Sequence, residues 1–204
     1  MDDNFAIRIV VFFVVAVIVA VVDAVILRPC RERIEVYGFL LGSGLGAGLF
    51  GAIFDQVTFT ISSHYFVYLK EIDAPTELEL RIKIAVFGFA AALIPGLLAS
   101  ASMLVASLDA KSGNWKVRPL RLFAWYRIHL VTFLILVIPF VIAFLFFDPR
   151  GYRSQWEAIL ETSQIQRMIV TWSVHVAAYG GVIFGTILAI IGLLGTCKTA
   201  EQHG

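Results

Sequence analysis

Cysteine is scarce. Only Cys30 and Cys197 occur in 204 residues, and neither has a second cysteine or a histidine at a zinc spacing, so no disulfide framework and no structural metal are expected. Charge is scarce as well. Asp, Glu, Lys and Arg make up 15% of the chain, and 16 basic against 15 acidic residues leave a net charge of +1, too little for a nucleic-acid surface. No G-x-S-x-G, H-E-x-x-H or Walker-type loop is present, nor a paired carboxylate within a helix, so no motif names a reaction and catalytic residues are not expected.

What fills the chain is apolar: 59% of residues are hydrophobic. About 20 such residues cross a hydrocarbon core, and five runs reach that length: 5–27, 37–54, 84–108, 122–147 and 168–194. Lipid offers no partner to an open strand, so each run must be helical. The expectation is an all-α integral membrane protein, a single transmembrane domain over 1–204 built as a five-helix bundle. Eight basic residues flank one side of the spans (Arg28, Arg31, Arg33, Lys111, Lys116, Arg118, Arg121, Lys198) and six the other (Lys70, Arg81, Lys83, Arg150, Arg153, Arg167). The positive-inside rule then puts the N-terminus out and the C-terminus in. The acidic start Met1-Asp2-Asp3 is the wrong charge for a cleaved signal, and the first run is read as a retained span.

The connections 55–83 and 148–167 fall outside. In the first, Val57, Phe59 and Ile61 alternate with Thr58, Thr60 and Ser62, which predicts a short extended segment. Thr76 with Glu79, and Ser154 with Glu157, have capping-box spacing. Trp156, Ile159 and Leu160 would share one face of a surface helix after the Asp148-Pro149-Arg150-Gly151 turn.

Glycine is the densest signal. Gly38, Gly42 and Gly46 recur every fourth residue in the second run, as do Gly44 and Gly48, and Gly181 and Gly185 repeat the spacing in the fifth. Such stripes let helix backbones approach closely, inside one bundle or against another subunit. Intramembrane ionisable residues are few: Arg8, Asp23 and Arg127 lie near span ends, Asp23 with Arg28 as its nearest partner, and no acid or base is expected mid-helix. Pro95 and Pro139 are expected to kink the third and fourth spans. His129 and His175 are the candidates for a haem b. One iron needs both rings near one level, whereas their positions imply a separation of about 5 to 15 Å in depth. No cofactor is therefore expected. Ser62, Ser63 and His64 place a hydroxyl beside an imidazole, a pattern that chance also produces.

Asp55-Gln56-Val57-Thr58, then Ser62 and Tyr65-Phe66, resembles a loop motif of uncharacterised bacterial multi-span membrane proteins. In that pattern a histidine precedes Asp-Gln and Pro-Glu precedes Tyr-Phe; here those places hold Phe54, Ser63 and His64. The resemblance implies a bacterial inner membrane and a working role for the outer loop, and no activity. Taken together, these features predict a non-enzymatic membrane subunit or scaffold, packed through its glycine-rich helices against a protein partner or a copy of itself. The alternatives are a small-solute channel or carrier lined by glycines with Ser100, Ser102, Thr186 and Tyr179, and a haem-binding membrane anchor.

Overall fold

The computed structural model describes residues 3–23, 31–109, 114–147 and 151–201. Cys30, Arg28, Lys111 and the Asp148-Pro149-Arg150 turn lie outside the described residues, as do the side chains of Cys197 and Lys198. The described chain is helical: α1 (Asp3–Val21), α2 (Arg31–Ile61), a π-helical turn (Tyr65–Leu69), α3 (Glu77–Ser107), a 3-10 turn (Pro119–Trp125), α4 (Tyr126–Phe147), α5 (Tyr152–Trp156) and α6 (Thr162–Glu201).

Among the described residues, four helices are long and apolar enough to cross a membrane: α2, α3, α4 with its 3-10 lead-in, and α6. The apolar stretch of α1, Val11–Val21, is shorter. The outer surfaces of the four long helices carry Val105, Phe146 and Phe147 at 74%, 79% and 80% exposure, as a lipid-facing wall requires.

Three segments differ from expectation. α2 starts at Arg31 and continues past Phe54 to Ile61, so Val57–Ile61 is helix, with no extended strand. The reason is the buried face: Asp55, Thr58, Phe59 and Ser62 follow the helical period of three and four, and the Thr58 hydroxyl donates back to the Phe54 carbonyl at 3.1 Å. α3 begins at Glu77, as the capping-box spacing of Thr76 and Glu79 predicts for a helix leading into the third span, and Thr76 accepts from the Glu79 amide. Ser154 is no cap. Gly151 precedes α5 at φ 64°, the Ser154 hydroxyl donates to the Gly151 carbonyl, and α5 ends at Trp156, leaving Ile159 exposed while Leu160 turns into the core. α6 then runs from Thr162 to Glu201, well beyond 168–194 at both ends.

The bundle is two antiparallel hairpins, α2 along α3 and α4 along α6, joined chiefly where α3 meets α6. Where α2 crosses α3, Gly51 and Gly88 face each other's backbone carbonyls, and a Cβ on either would collide with the other. Gly44 meets Leu97, Gly48 meets Phe89, Gly38 meets Leu120 and Gly42 meets Phe123. In the other hairpin Gly181 lies on Phe133 and Gly185 on His129. Gly44 and Gly48 are thus engaged by α3 and Gly181 and Gly185 by α4, while Gly38 and Gly42 face the 3-10 turn before α4. Gly46 alone of these seven has nothing within 4 Å.

Packed clusters close the two ends. One holds Phe59, Tyr65, Phe66, Ile84, Leu160, Ile165 and Met168; the other holds Phe39, Met103, Leu104, Leu122, Ala189 and Leu193. Beside the second, buried Glu35 takes ion pairs from Arg31 and Arg118, tying the start of α2 to the loop before α4. Asp23 pairs with Arg33 at 2.7 Å and accepts from the Tyr37 hydroxyl at 2.9 Å, which anchors the end of α1 to α2.

Candidate functional site

Between the two clusters the bundle is hollow. A cavity of about 520 Å³ lies between the hairpins, within the size range of small-molecule sites. Its walls are Gly46, Phe50 and Phe54 of α2, Phe87, Gly88 and Ala92 of α3, Leu130 and Phe133 of α4, and Ala178 and Val182 of α6. It extends along α2 from Gly42 to Asp55, thirteen residues, or about 20 Å at 1.5 Å per residue. α2 meets α4 through the Phe54 and Phe133 rings, 6.0 Å apart, while Gly46, Phe50 and Leu130 along the same flank are exposed. The cavity therefore opens sideways, between α2 and α4 and near the middle of α2.

Polar groups sit at both ends. Ser43, Tyr126 and His129 line one end, where the Tyr126 hydroxyl reaches the Gly96 carbonyl at 3.4 Å and His129 Nε2 contacts the Thr186 hydroxyl at 3.0 Å. Lys70, Asp55 and His175 line the other, with the Lys70 ammonium 5.6 Å from the Tyr65 and Phe87 ring centres.

Asp55 and His175 form the buried pair that sequence reasoning missed. The expectation of no mid-helix charge is corrected: Asp55 is 4% exposed, inside α2, six residues before its end. His175 Nε2 lies 2.9 Å from Asp55 Oδ1, and Nδ1 lies 2.8 Å from the Thr171 carbonyl. A carbonyl only accepts, so Nδ1 carries a hydrogen and donates it. The contact with Asp55 then needs one hydrogen more, on Nε2 or on Oδ1. Either way the pair holds one shared proton and has no net charge, the state in which burying it costs least.

The loop motif assembles around this pair. Tyr65 stacks on the His175 ring at 4.7 Å, Phe66 and Phe54 meet it edge-on at 5.9 and 5.1 Å, and the Ser62 hydroxyl accepts from the Tyr65 amide. Thr58 is buried in the same wall. Gln56 donates to the Arg81 carbonyl at 2.9 Å, pinning α2 to α3 just outside. His64 stands apart, stacked on Tyr68, so it and Ser62 do not form a nucleophile and base.

His129 and His175 border one cavity at different levels. His129 packs on Gly185, ten residues beyond His175 on α6, about 15 Å along the axis, so the two rings do not face one iron. Among the described residues no three His, Cys, Asp or Glu side chains gather as metal ligands. Of the pore candidates, Tyr179 lines the cavity, while the Ser100, Ser102 and Thr186 hydroxyls donate back to carbonyls of their own helices. No family model, curated protein or solved structure matches the chain.

Proposed function

We propose that this protein binds, and carries within the bilayer, a lipid-soluble molecule held between its two hairpins. The observation that carries this reading is the apolar cavity open sideways between helices long and apolar enough to cross a membrane. Binding sites are concave, mostly apolar and furnished with a few convergent polar groups, and this cavity has each property. Its occupant arrives from the lipid and lies along α2, with its polar end at Asp55 and His175. We place the N-terminus outside, with α1 as a fifth crossing, in a bacterial cytoplasmic membrane. Assembly through the glycine stripes has less support, because residues of the same chain meet Gly38, Gly42, Gly44, Gly48, Gly181 and Gly185, leaving Gly46 alone of the stripe glycines open.

The test is native mass spectrometry of the protein extracted from its own membranes in mild detergent, beside Gly46→Trp. Gly46 lines the cavity and a Cβ there meets nothing within 4 Å, so the indole is rooted without a backbone clash where it obstructs the cavity. The expected result is a defined small-molecule adduct on the wild type that is lost from the variant. A bare wild-type chain would refute the carrier reading, and a stoichiometric protein adduct would return the scaffold reading to first place.

A further inference from the structure

The polar end of the cavity also selects among lipid-soluble molecules, an inference that rests on the carrier reading above. Asp55 has two oxygens. Oδ1 is engaged by His175, whereas no described residue gives a hydrogen bond to Oδ2, which lies against Gly88 on the cavity wall. A Cβ at position 88 would stand 2.7 Å from Oδ2, so the absence of a side chain there keeps the oxygen accessible. A carboxyl oxygen facing an apolar cavity without a donor is costly, and a ligand able to donate removes that cost.

We infer that the ligand is a neutral amphiphile, a hydrocarbon chain ending in a hydroxyl that donates to Asp55 Oδ2. The charges around the oxygen fit this class. From α2 comes Asp55, from α6 His175 and, one turn further, Tyr179, from the π-helical turn Tyr65 with Lys70 just after it, while α3 presents only Phe87 and Gly88 here. Asp55 and His175 together are neutral, and the Lys70 ammonium sits over two aromatic rings. An anionic head would have its charge beside the Asp55 carboxyl. A plain hydrocarbon would leave Oδ2 without a donor. The apolar remainder of the cavity, with Phe54, Ala92 and Phe133 on its walls, accommodates the chain.

The test uses nanodiscs holding the full chain and three probes of equal chain length: hexadecanol, hexadecane and palmitate. Tritiated hexadecanol is bound first, and each unlabelled probe then competes at equal mole fraction in the bilayer. Hexadecanol is expected to displace the label about tenfold more effectively than hexadecane, the magnitude at which the ranges for neutral and charged acceptors meet. It should also outcompete palmitate. In Asp55→Asn, whose amide oxygen is a weaker acceptor, that advantage should shrink several-fold. In the double variant Asp55→Leu/His175→Leu it should vanish while tritiated hexadecane still binds. Equal displacement by all three probes, or a preference for palmitate, would overturn this inference and leave the carrier reading standing. Absence of saturable binding for both tritiated hexadecanol and tritiated hexadecane would overturn both.

Discussion

Replacing His175 with leucine is expected to cost about 3–5 kcal/mol of stability, the usual penalty for stranding one member of a buried ion pair. Asp55 is 4% exposed, and the imidazole is the one group that shares a proton with it. Asp55→Leu strands a neutral ring in place of a charge and should cost less, about 1–3 kcal/mol. The double variant removes both polar groups and refills the space with hydrocarbon, so it should be closer to wild type than His175→Leu is. Non-additivity of this kind is what coupled neighbours produce. Thermal unfolding of the four proteins in one detergent reads it. Additive losses would mean that the 2.9 Å contact carries no coupling, and the shared-proton description of the site would be wrong.

Gly51→Ala should cost about 1–3 kcal/mol, the range for overpacking a tight contact, although alanine is the better helix former. The added methyl would strike the Gly88 carbonyl and the Ala92 side chain, both on α3, and helix backbones do not move aside as a flexible side chain does. Gly46→Ala, five residues earlier on the same helix, meets nothing within 4 Å and should stay within about 0.5 kcal/mol of wild type. Unfolding temperatures of the two variants decide the matter. Equal effects would contradict the assignment of Gly51 to the crossing and Gly46 to the cavity wall.

Much of this architecture was legible in the sequence. The apolar runs located the four long helices, whereas the every-fourth glycine spacing includes Gly46, which faces open space, and leaves out the tightest approach, Gly51 to Gly88. Why the partners of the glycine faces were not legible is physical: small-residue spacing reports close approach and carries nothing about which helix approaches. Here α2 uses Gly44, Gly48 and Gly51 on α3, and α6 uses Gly181 and Gly185 on α4.

The ends of the helices were harder to read. Hydropathy falls at Asp55, and a span defined by apolar residues stops there, but the backbone has no reason to stop when its polar side chains are buried and paired. Asp55, Thr58 and Ser62, together with Phe59, repeat at helical spacing and are all buried, a signal hidden by the alternation of β-branched residues in the same stretch. His175 was visible as an intramembrane histidine near Tyr179. Its partner lay 120 positions away, and no local pattern connects α2 to α6. α6 was read short at its start because Ser163, Gln164, Gln166 and Arg167 are polar, although Ile165 and Met168 between them are core residues.

The measurement that bears most directly on the cavity is photolabelling in the native membrane with a long-chain alcohol carrying a diazirine in its tail, followed by peptide mapping of α3. That helix has both environments. Ala91, Ala92 and Gly96 line the cavity, while Leu98 and Val105 point to bulk lipid at 63% and 74% exposure. A bound ligand between the hairpins should give saturable labelling at 91–96 that excess unlabelled alcohol competes away and that Gly46→Trp abolishes, over a non-saturable background at Leu98 and Val105. Labelling confined to Leu98 and Val105, unaffected by competitor, would contradict the binding cavity.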